Sequence, residues 1–241
     1  MIRRLRMFAG PNGSGKSSVK AEIADGMLGV YLNPDEIEKE VSQRGYFDIR
    51  GLDLSLTQDE VIDFFDAHPL LQRTQEVDYI SAIRLIQNEF IDFANVGFNA
   101  YLSAILTDFL RQKLINAGRS FTFETVMSSV DKLQTLKQAA AVGFRNYLYY
   151  VATEDPLINI ARIRHRVRMG GHAVPDDKVI DRYYRSLNLL LDAIRLTKRA
   201  YIFDNSGQTK VWIAEITDGT AIELKTDLIP HWFTSAVLDK L

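Results

Sequence analysis

The chain has 241 residues, of which 46% are hydrophobic and 25% charged, as is usual for a globular protein in water. Its formal net charge of -2 gives no global basic field for nucleic acid, and its lack of cysteine excludes disulfides, thiolate metal sites and cysteine nucleophiles. No apolar run is long enough for a signal peptide or a membrane span, so we expect a cytoplasmic protein without nucleic acid or membrane partners.

The first element is a phosphate-binding motif. A short apolar strand pattern at residues 5–9 leads into Gly10-Pro11-Asn12-Gly13-Ser14-Gly15-Lys16-Ser17, which fits G-x-x-x-x-G-K-[ST], and a helix pattern follows. This order predicts a P-loop, whose backbone N–H groups surround an anion at a helix N-terminus. We expect Lys16 to reach the β- and γ-phosphates and Ser17 to bind Mg²⁺. The predicted nucleotide-binding residues are Gly10, Asn12, Gly13, Ser14, Gly15, Lys16, Ser17 and Ser18.

An acidic residue follows the second predicted strand, Val30-Tyr31-Leu32. In open α/β sheets, ligands bind at the carboxyl ends of strands, so Asp35 lies where chemistry is expected. Asp35 is equally suited to cap a helix predicted over residues 36–44. The local sequence leaves both roles open.

Residues 45–118 read as a helical insertion in a single domain covering residues 1–241. The run Thr57-Gln58-Asp59-Glu60 is a capping box that begins one helix. Apolar spacing predicts further helices over residues 78–94 and 100–117. We therefore expect this segment to pack beside the sheet rather than to form a separate domain.

The second half of the chain alternates strands and helices. Strands are predicted at residues 120–123, ending at Glu124-Thr125, at 147–152 and at 200–203. Residues 208–241 read as a β-hairpin around Asp218-Gly219 and a short helix near Pro230. The alternation predicts an α/β fold with a three-layer, mostly parallel sheet of P-loop kinase type, a helical insertion and a C-terminal hairpin.

A row of arginines on one predicted helix precedes a glycine-rich loop. Arg162 and Arg166 share one helix face, Arg164 and Arg168 share another, and Gly170-Gly171-His172 follows. Small P-loop kinases use such a mobile lid to neutralise charge on the transferred phosphoryl group, although a solvated basic face gives the same pattern. The N-K-x-D motif of GTPases and the L-S-G-G-Q motif of transporter ATPases are both missing, which favours a kinase.

Taken together, the motifs of the chain resemble the zeta-toxin family of P-loop kinases. The likeness is closest to the non-classical branch that is often labelled as predicted ABC-type ATPases. The matching stretches are residues 8–17, Leu32-Asn33-Pro34-Asp35, residues 121–125, residues 162–175, Arg182-Tyr183 and Asp204-Asn205-Ser206.

The resemblance implies a kinase that uses ATP and Mg²⁺, and in the characterised toxins the acceptor is a hydroxyl of a UDP-N-acetylamino sugar. It implies that Asp35 is the acceptor base, that Glu124 and Thr125 bind substrate, and that Arg166 belongs to the lid. His172 stands where the best-known toxins have another lid arginine, and the run after Glu124 lacks their sugar-gripping arginine. An antitoxin-like protein is the partner that the resemblance suggests, besides the small-molecule hydroxyl acceptor.

Two alternatives remain at this stage. Asp204 ends a strand pattern that looks like a Walker B strand, but the family order favours a nucleotide-base contact or a turn cap for Asp204-Asn205. The second alternative concerns the function of the protein: a regulatory ATPase or nucleotide-dependent binding protein would use a P-loop just as a kinase does.

Overall fold

The computed structural model describes residues 2–71 and 77–241. The strands in these residues are β1 (Arg4–Ala9), β2 (Val30–Leu32), β3 (Tyr46–Asp48), β4 (Arg84–Ile86), β5 (Phe90–Asp92), β6 (Phe121–Thr125), β7 (Arg145–Ala152), β8 (Arg199–Asp204), β9 (Val211–Thr217) and β10 (Ala221–Leu224). The α-helices are α1 (Lys16–Lys20), α2 (Asp25–Leu28), α3 (Pro34–Arg44), α4 (Gln58–Asp66), α5 (Ala100–Asn116), α6 (Asp131–Ala141), α7 (Pro156–Arg168), α8 (Asp176–Asn188), α9 (Leu190–Arg195) and α10 (His231–Ala236). Short 3₁₀ helices cover Arg50–Leu52, Val77–Ala82 and Leu238–Lys240.

The chain divides into two compact units, and the first comprises the residues up to Gly29 together with Thr122–Leu241. Its sheet has the strand order β10-β9-β8-β7-β1-β6. Strand β7 lies between β1 and β8 and pairs in parallel with both, whereas β9 pairs antiparallel with β8 and β10. The carboxyl ends of β1, β7 and β8 therefore meet at one edge, where α/β proteins bind their ligands.

Helices cover both faces of this sheet. On one face, Val151 of β7 belongs to an apolar cluster with Val19 of α1 and Leu28 of α2. Neighbouring side chains on a strand point to opposite faces, and Tyr150 shares a 3.0 Å hydrogen bond with Ser186 of α8 on the other face. The predicted three-layer, mostly parallel α/β architecture is confirmed.

The C-terminal hairpin is confirmed as well. Strands β9 and β10 pair through Thr217 and Ala221, and the turn between them has positive φ at Asp218 and Gly219. A six-residue helix beginning at His231 follows, with Pro230 at its N-cap. No helix in the two described ranges is both long and apolar enough to cross a membrane.

The second unit, Val30–Phe121, combines helices α3, α4 and α5 with a small antiparallel sheet of order β3-β5-β4. The predicted capping box is present, because Thr57 and Glu60 each accept a hydrogen bond from the other's backbone N–H. Helices α3 and α5 pack against each other, and their buried residues include Ile37 and Val41 of α3 and Leu102 and Leu106 of α5.

The helix predicted over residues 78–94 is wrong. The structure has a 3₁₀ helix there, followed by the hairpin β4-β5. Gln87 and Asn88 both have positive φ, which a helix does not tolerate but a tight hairpin turn requires. Apolar residues at helical spacing concealed this turn, so the insertion is only partly helical.

The burial of strand β7 leads to a prediction about stability, with an exposed leucine as the control. Leu148 in β7 is 0% exposed, whereas Leu228 is 83% exposed. We expect Leu148→Ala to lower the free energy of unfolding by about 2–5 kcal/mol through lost burial and a residual cavity. Leu228→Ala should change it by less than about 0.5 kcal/mol. Urea denaturation of both variants measures the difference, and equal effects would contradict the assignment of β7 to the core.

Candidate active site

The glycine loop lies between the end of β1 and the start of α1, and its backbone needs glycine at three places. Gly10, Gly13 and Gly15 all have positive φ. A Cβ atom on Gly10 would lie 2.0 Å from the Val151 carbonyl oxygen, and one on Gly15 would lie 2.2 Å from the Asn205 amide nitrogen. A side chain at Gly10 would collide with the backbone of β7, and one at Gly15 would displace the Asn205 amide group. The loop is therefore a tightly packed turn of the kind that cradles phosphates.

Polar atoms are buried in this loop without a protein partner. In the described ranges, Asn12 Oδ1 and Ser14 Oγ are two such atoms. Buried polar atoms are nearly always hydrogen-bonded in proteins, so this pair marks a place where a ligand or solvent completes the bonding. The Ser14 hydroxyl can donate to a phosphate oxygen, which accords with the predicted nucleotide site, whereas Asn12 Oδ1 is an acceptor that needs a donor from ligand or solvent.

Lys16 is folded over the loop. Its ammonium donates to the carbonyl oxygens of Gly10 at 3.0 Å and Pro11 at 3.2 Å, and the residue is only 8% exposed. Glu124 Oε1, at the carboxyl end of β6, lies 3.9 Å from Lys16 Nζ. The structure thus brings the predicted phosphate-binding lysine and the predicted substrate-pocket glutamate together. Next to them, the Thr125 hydroxyl accepts a hydrogen bond from the Met127 N–H, so it is engaged in a local turn.

Ser17 and Ser18 begin the helix after the loop. Ser17 is exposed in the first turn of α1, and Ser18 Oγ donates to the Gly15 carbonyl oxygen at 2.7 Å. Within residues 2–71 and 77–241, no cluster of three or more His, Asp or Glu side chains could hold a metal ion. Mg²⁺ is commonly bound by one or two protein oxygens together with substrate phosphates and water. Ser17 fits this mode, as the protein ligand of an ion that the nucleotide also binds.

The predicted lid arginines are on α7 and have different partners. Arg162 Nη2 donates to the Gly207 carbonyl oxygen at 3.2 Å, while its Nη1 is buried without a hydrogen-bond partner. Arg166 Nη2 donates to the His172 carbonyl oxygen at 3.1 Å and so ties the glycine-rich loop back to the helix. Arg164 forms a solvent-exposed ion pair with Asp176, so its partner differs from those of Arg162 and Arg166.

Asp35 belongs to the second unit, and the structure resolves one of its two predicted roles. Helix α3 begins at Pro34, not at Glu36, and its N-cap is Asn33, whose Oδ1 accepts the Asp35 N–H at 2.9 Å. Asp35 is therefore an exposed residue of the first helical turn and does not cap the helix. Its predicted role as acceptor base stays a prediction.

The turn after β8 is held by the Asp204 carboxylate. Ser206 donates to it from its backbone N–H at 3.0 Å and from its hydroxyl at 2.7 Å, and Trp232 Nε1 donates at 2.9 Å. Asp204 thus caps the turn, one of the roles expected for it. Asn205, which lies between Asp204 and Ser206 in the sequence, donates from Nδ2 to the Ser14 carbonyl oxygen of the glycine loop at 2.7 Å.

Sequence reasoning missed one residue of the site entirely. Asn159 on α7 is 0% exposed and donates from Nδ2 to the Asn12 carbonyl oxygen at 2.7 Å. Its only sequence signal is an amide within the apolar run Ile158 to Ile160, on the helix that also carries the arginines.

Comparison with known proteins gives a family match and one similar fold, seen in two crystal structures. A family model described as zeta toxin matches residues 79–217. Two crystal structures of AvrRxo1-ORF1:AvrRxo1-ORF2, one with sulphate ions and one with ATP, align with TM-scores of 0.55 and 0.54 at 11% sequence identity. The alignments cover 94% and 93% of this chain but only 62% and 61% of those chains, and at this identity they show a shared fold.

A curated relative matches a shorter stretch. An uncharacterized protein of Haemophilus influenzae is 38% identical over 63 residues, which are 26% of this chain and 45% of that protein. The chain therefore spans less than two thirds of each of these proteins.

Proposed function

Because the chain belongs to the zeta toxin family, we propose that it is an ATP-dependent small-molecule kinase that transfers the γ-phosphate to a hydroxyl group of a metabolite. The family and the kinase-like fold support a P-loop kinase, and the neighbour that contains ATP supports ATP as the nucleotide. The observation that carries the proposal is Lys16, buried over a glycine loop in which the buried Ser14 hydroxyl has no hydrogen-bond partner among the described residues. Such a loop stabilises the charge of a polyphosphate.

The proposal assigns each predicted catalytic residue a role in this reaction. The acceptor hydroxyl gives its proton to the Asp35 carboxylate as its oxygen forms a bond to the γ-phosphorus. The bond between the γ-phosphorus and the bridging oxygen breaks, and ADP leaves with that electron pair. Lys16 and Arg166 offset the negative charge that spreads over the transferred group. Ser17 would hold Mg²⁺, which would supply further positive charge to stabilise the transferred phosphate.

We propose that Glu124 and Thr125 contact the acceptor. Glu124 lies at the carboxyl end of β6 beside Lys16, so a hydroxyl that it binds would be near the phosphate cradle. Sugar hydroxyl groups are donors that a carboxylate accepts well. The resemblance to the characterised toxins makes a UDP-N-acetylamino sugar the first acceptor to test. Arg162 and His172 complete the proposed lid, with His172 contributing charge only when it is protonated.

The lid assignment predicts an effect on rate rather than on binding. Arg166→Ala should lower the rate of phosphoryl transfer by about 10- to 100-fold, since a charge-assisted hydrogen bond made in the transition state is lost. ATP affinity should change much less, because the residue acts on charge that develops during transfer. Arg168→Ala, on the same helix and also exposed, is the matched control and should keep the wild-type rate. A loss confined to ATP affinity would make Arg166 an ordinary binding residue.

We also propose a cytoplasmic location, where ATP is available, and an antitoxin-like protein partner. The partner proposal is supported by the similar AvrRxo1-ORF1, whose structure is a complex with AvrRxo1-ORF2. Co-expression with the product of a neighbouring gene, followed by gel filtration, tests whether such a complex forms.

The substrate proposal is tested by following the phosphate. The purified protein is incubated with γ-labelled ATP and a UDP-N-acetylamino sugar, and in parallel with a metabolite extract. Label in the sugar nucleotide supports both the kinase and its acceptor class. Label in a different metabolite retains the kinase and rejects that acceptor class. Label found only as inorganic phosphate contradicts the kinase.

A further inference from the structure

We propose that two asparagines, Asn159 and Asn205, are positioning residues that aim the N–H groups of the glycine loop at the bound phosphates. The inference rests on the nucleotide binding of the proposed function and assigns residues that the P-loop motif does not contain. Asn159 comes from helix α7 and Asn205 from the turn after β8, so two separate elements hold the same loop.

The two side chains make the same bond at alternate residues of the loop. Asn159 Nδ2 donates to the Asn12 carbonyl oxygen, and Asn205 Nδ2 donates to the Ser14 carbonyl oxygen, both at 2.7 Å. The atoms that they bind are therefore carbonyls on either side of Gly13. Both bonds are short, at the lower end of the normal range for an amide donor.

Because the peptide group is planar, these bonds to the carbonyl oxygens also fix the direction of the neighbouring loop N–H groups. The carbonyl of Asn12 shares a peptide plane with the N–H of Gly13, and the carbonyl of Ser14 shares one with the N–H of Gly15. In a trans peptide the C=O and N–H bonds point in opposite directions. Holding the two carbonyls toward the asparagines thus holds the N–H groups of Gly13 and Gly15 away from them, where backbone N–H groups of a P-loop meet phosphate.

Glycine makes this close approach possible. A Cβ atom on Gly15 would lie 2.2 Å from Asn205 Nδ2, and one on Gly13 would lie 2.7 Å from the Asn159 carbonyl oxygen. The glycines of the motif therefore serve the two asparagines as well as the ligand.

Both asparagines are themselves fixed. The Asn159 amide oxygen accepts a hydrogen bond from the Thr153 hydroxyl, so its nitrogen faces the loop. The Asn205 N–H donates to the Ala152 carbonyl oxygen at 2.8 Å, and the adjoining Asp204 carboxylate is held by Ser206 and Trp232. Because both side chains are already held in place before the ligand binds, less conformational entropy is lost on binding, and the loop is preorganised.

The test compares ATP binding and inorganic pyrophosphate binding by calorimetry in the full chain. Asn205→Ala should lower the affinity for both ligands by about tenfold, which corresponds to the loss of one well-placed hydrogen bond. Asn205→Asp removes the donor and places negative charge beside the Ser14 carbonyl, so it should weaken both ligands further. Asn159→Ala should act like Asn205→Ala, and Asn188→Ala, an exposed asparagine on α8, should bind as wild type.

The outcomes separate this inference from the proposed function. If the wild-type protein binds neither ligand, the proposed function fails and the inference fails with it. If the wild type binds ATP and the folded Asn205→Ala and Asn205→Asp variants bind it equally well, only the inference is overturned. A fall in melting temperature with unchanged affinities would show that the asparagines merely stabilise the fold. Asn205 is half-buried, so its variants remain informative even if the buried Asn159 cannot be replaced without unfolding.

Discussion

Replacing Lys16 with alanine is expected to lower ATP turnover by about 10²–10³-fold, the usual loss when one preorganised donor to developing charge is removed. The ammonium lies over the glycine loop, on the Gly10 and Pro11 carbonyl oxygens and 3.9 Å from Glu124. These are bonds that phosphate oxygens would replace when ATP binds. The variant therefore loses the cation that would bridge the β- and γ-phosphates.

The matched control for Lys16 lies one turn further along the same helix. Lys20→Ala also removes a lysine from α1, but outside the glycine loop, so it should retain turnover. Circular dichroism and thermal melting check that both variants fold. A folded Lys16→Ala protein with wild-type turnover and ATP affinity would remove the glycine loop from the mechanism.

Replacing Asp35 with asparagine is expected to lower phosphoryl transfer by roughly 10²- to 10⁴-fold, the contribution of a general base. Asparagine keeps the shape of the side chain but cannot accept the acceptor's proton. Because Asn33 already caps α3, the change should leave the helix and its stability almost untouched. ATP affinity should stay near the wild-type value, since Asp35 acts on the acceptor hydroxyl.

Glu38→Gln is the control for Asp35, because it removes a carboxylate from the same helix without touching the proposed base. The rate should be followed across pH with both variants. An Asp35→Asn protein that transfers phosphate at the wild-type rate would assign the base to another residue. A loss of ATP affinity with unchanged transfer would place Asp35 in nucleotide binding instead.

Local patterns predicted the parts of the structure that depend on local physics. The glycine loop follows from its motif, and β7 follows from an eight-residue run rich in tyrosine and other strand formers. The hairpin β9-β10 follows from a turn residue pair at Asp218-Gly219. In each case the residues that form the element also contain its signal.

The features that the sequence did not predict, namely the β4-β5 hairpin and the asparagine contacts with the glycine loop, also have a physical explanation. In the segment that contains β4 and β5, apolar residues happen to recur at helical spacing, whereas the structure has antiparallel strand pairing and positive φ at Gln87 and Asn88. The contacts of Asn159 and Asn205 with the glycine loop join residues 147 and 191 positions apart. They depend on β1, β7 and β8 being neighbours in the sheet, which no local pattern encodes. Asn205 could be singled out from the sequence, but its contact with Ser14 could not.

The fate of the γ-phosphate tests the central claim most directly. Wild-type protein and Lys16→Ala are incubated with γ-labelled ATP, with and without a metabolite extract, and the label is separated into inorganic phosphate and organic products. If the protein is a kinase, the wild type should consume ATP rapidly only when the extract is present, and the label should appear in a phosphate ester of an organic hydroxyl. Lys16→Ala should show neither rapid ATP consumption nor labelled ester. ATP consumption that does not depend on the extract and yields only inorganic phosphate would contradict the kinase and identify a regulatory ATPase.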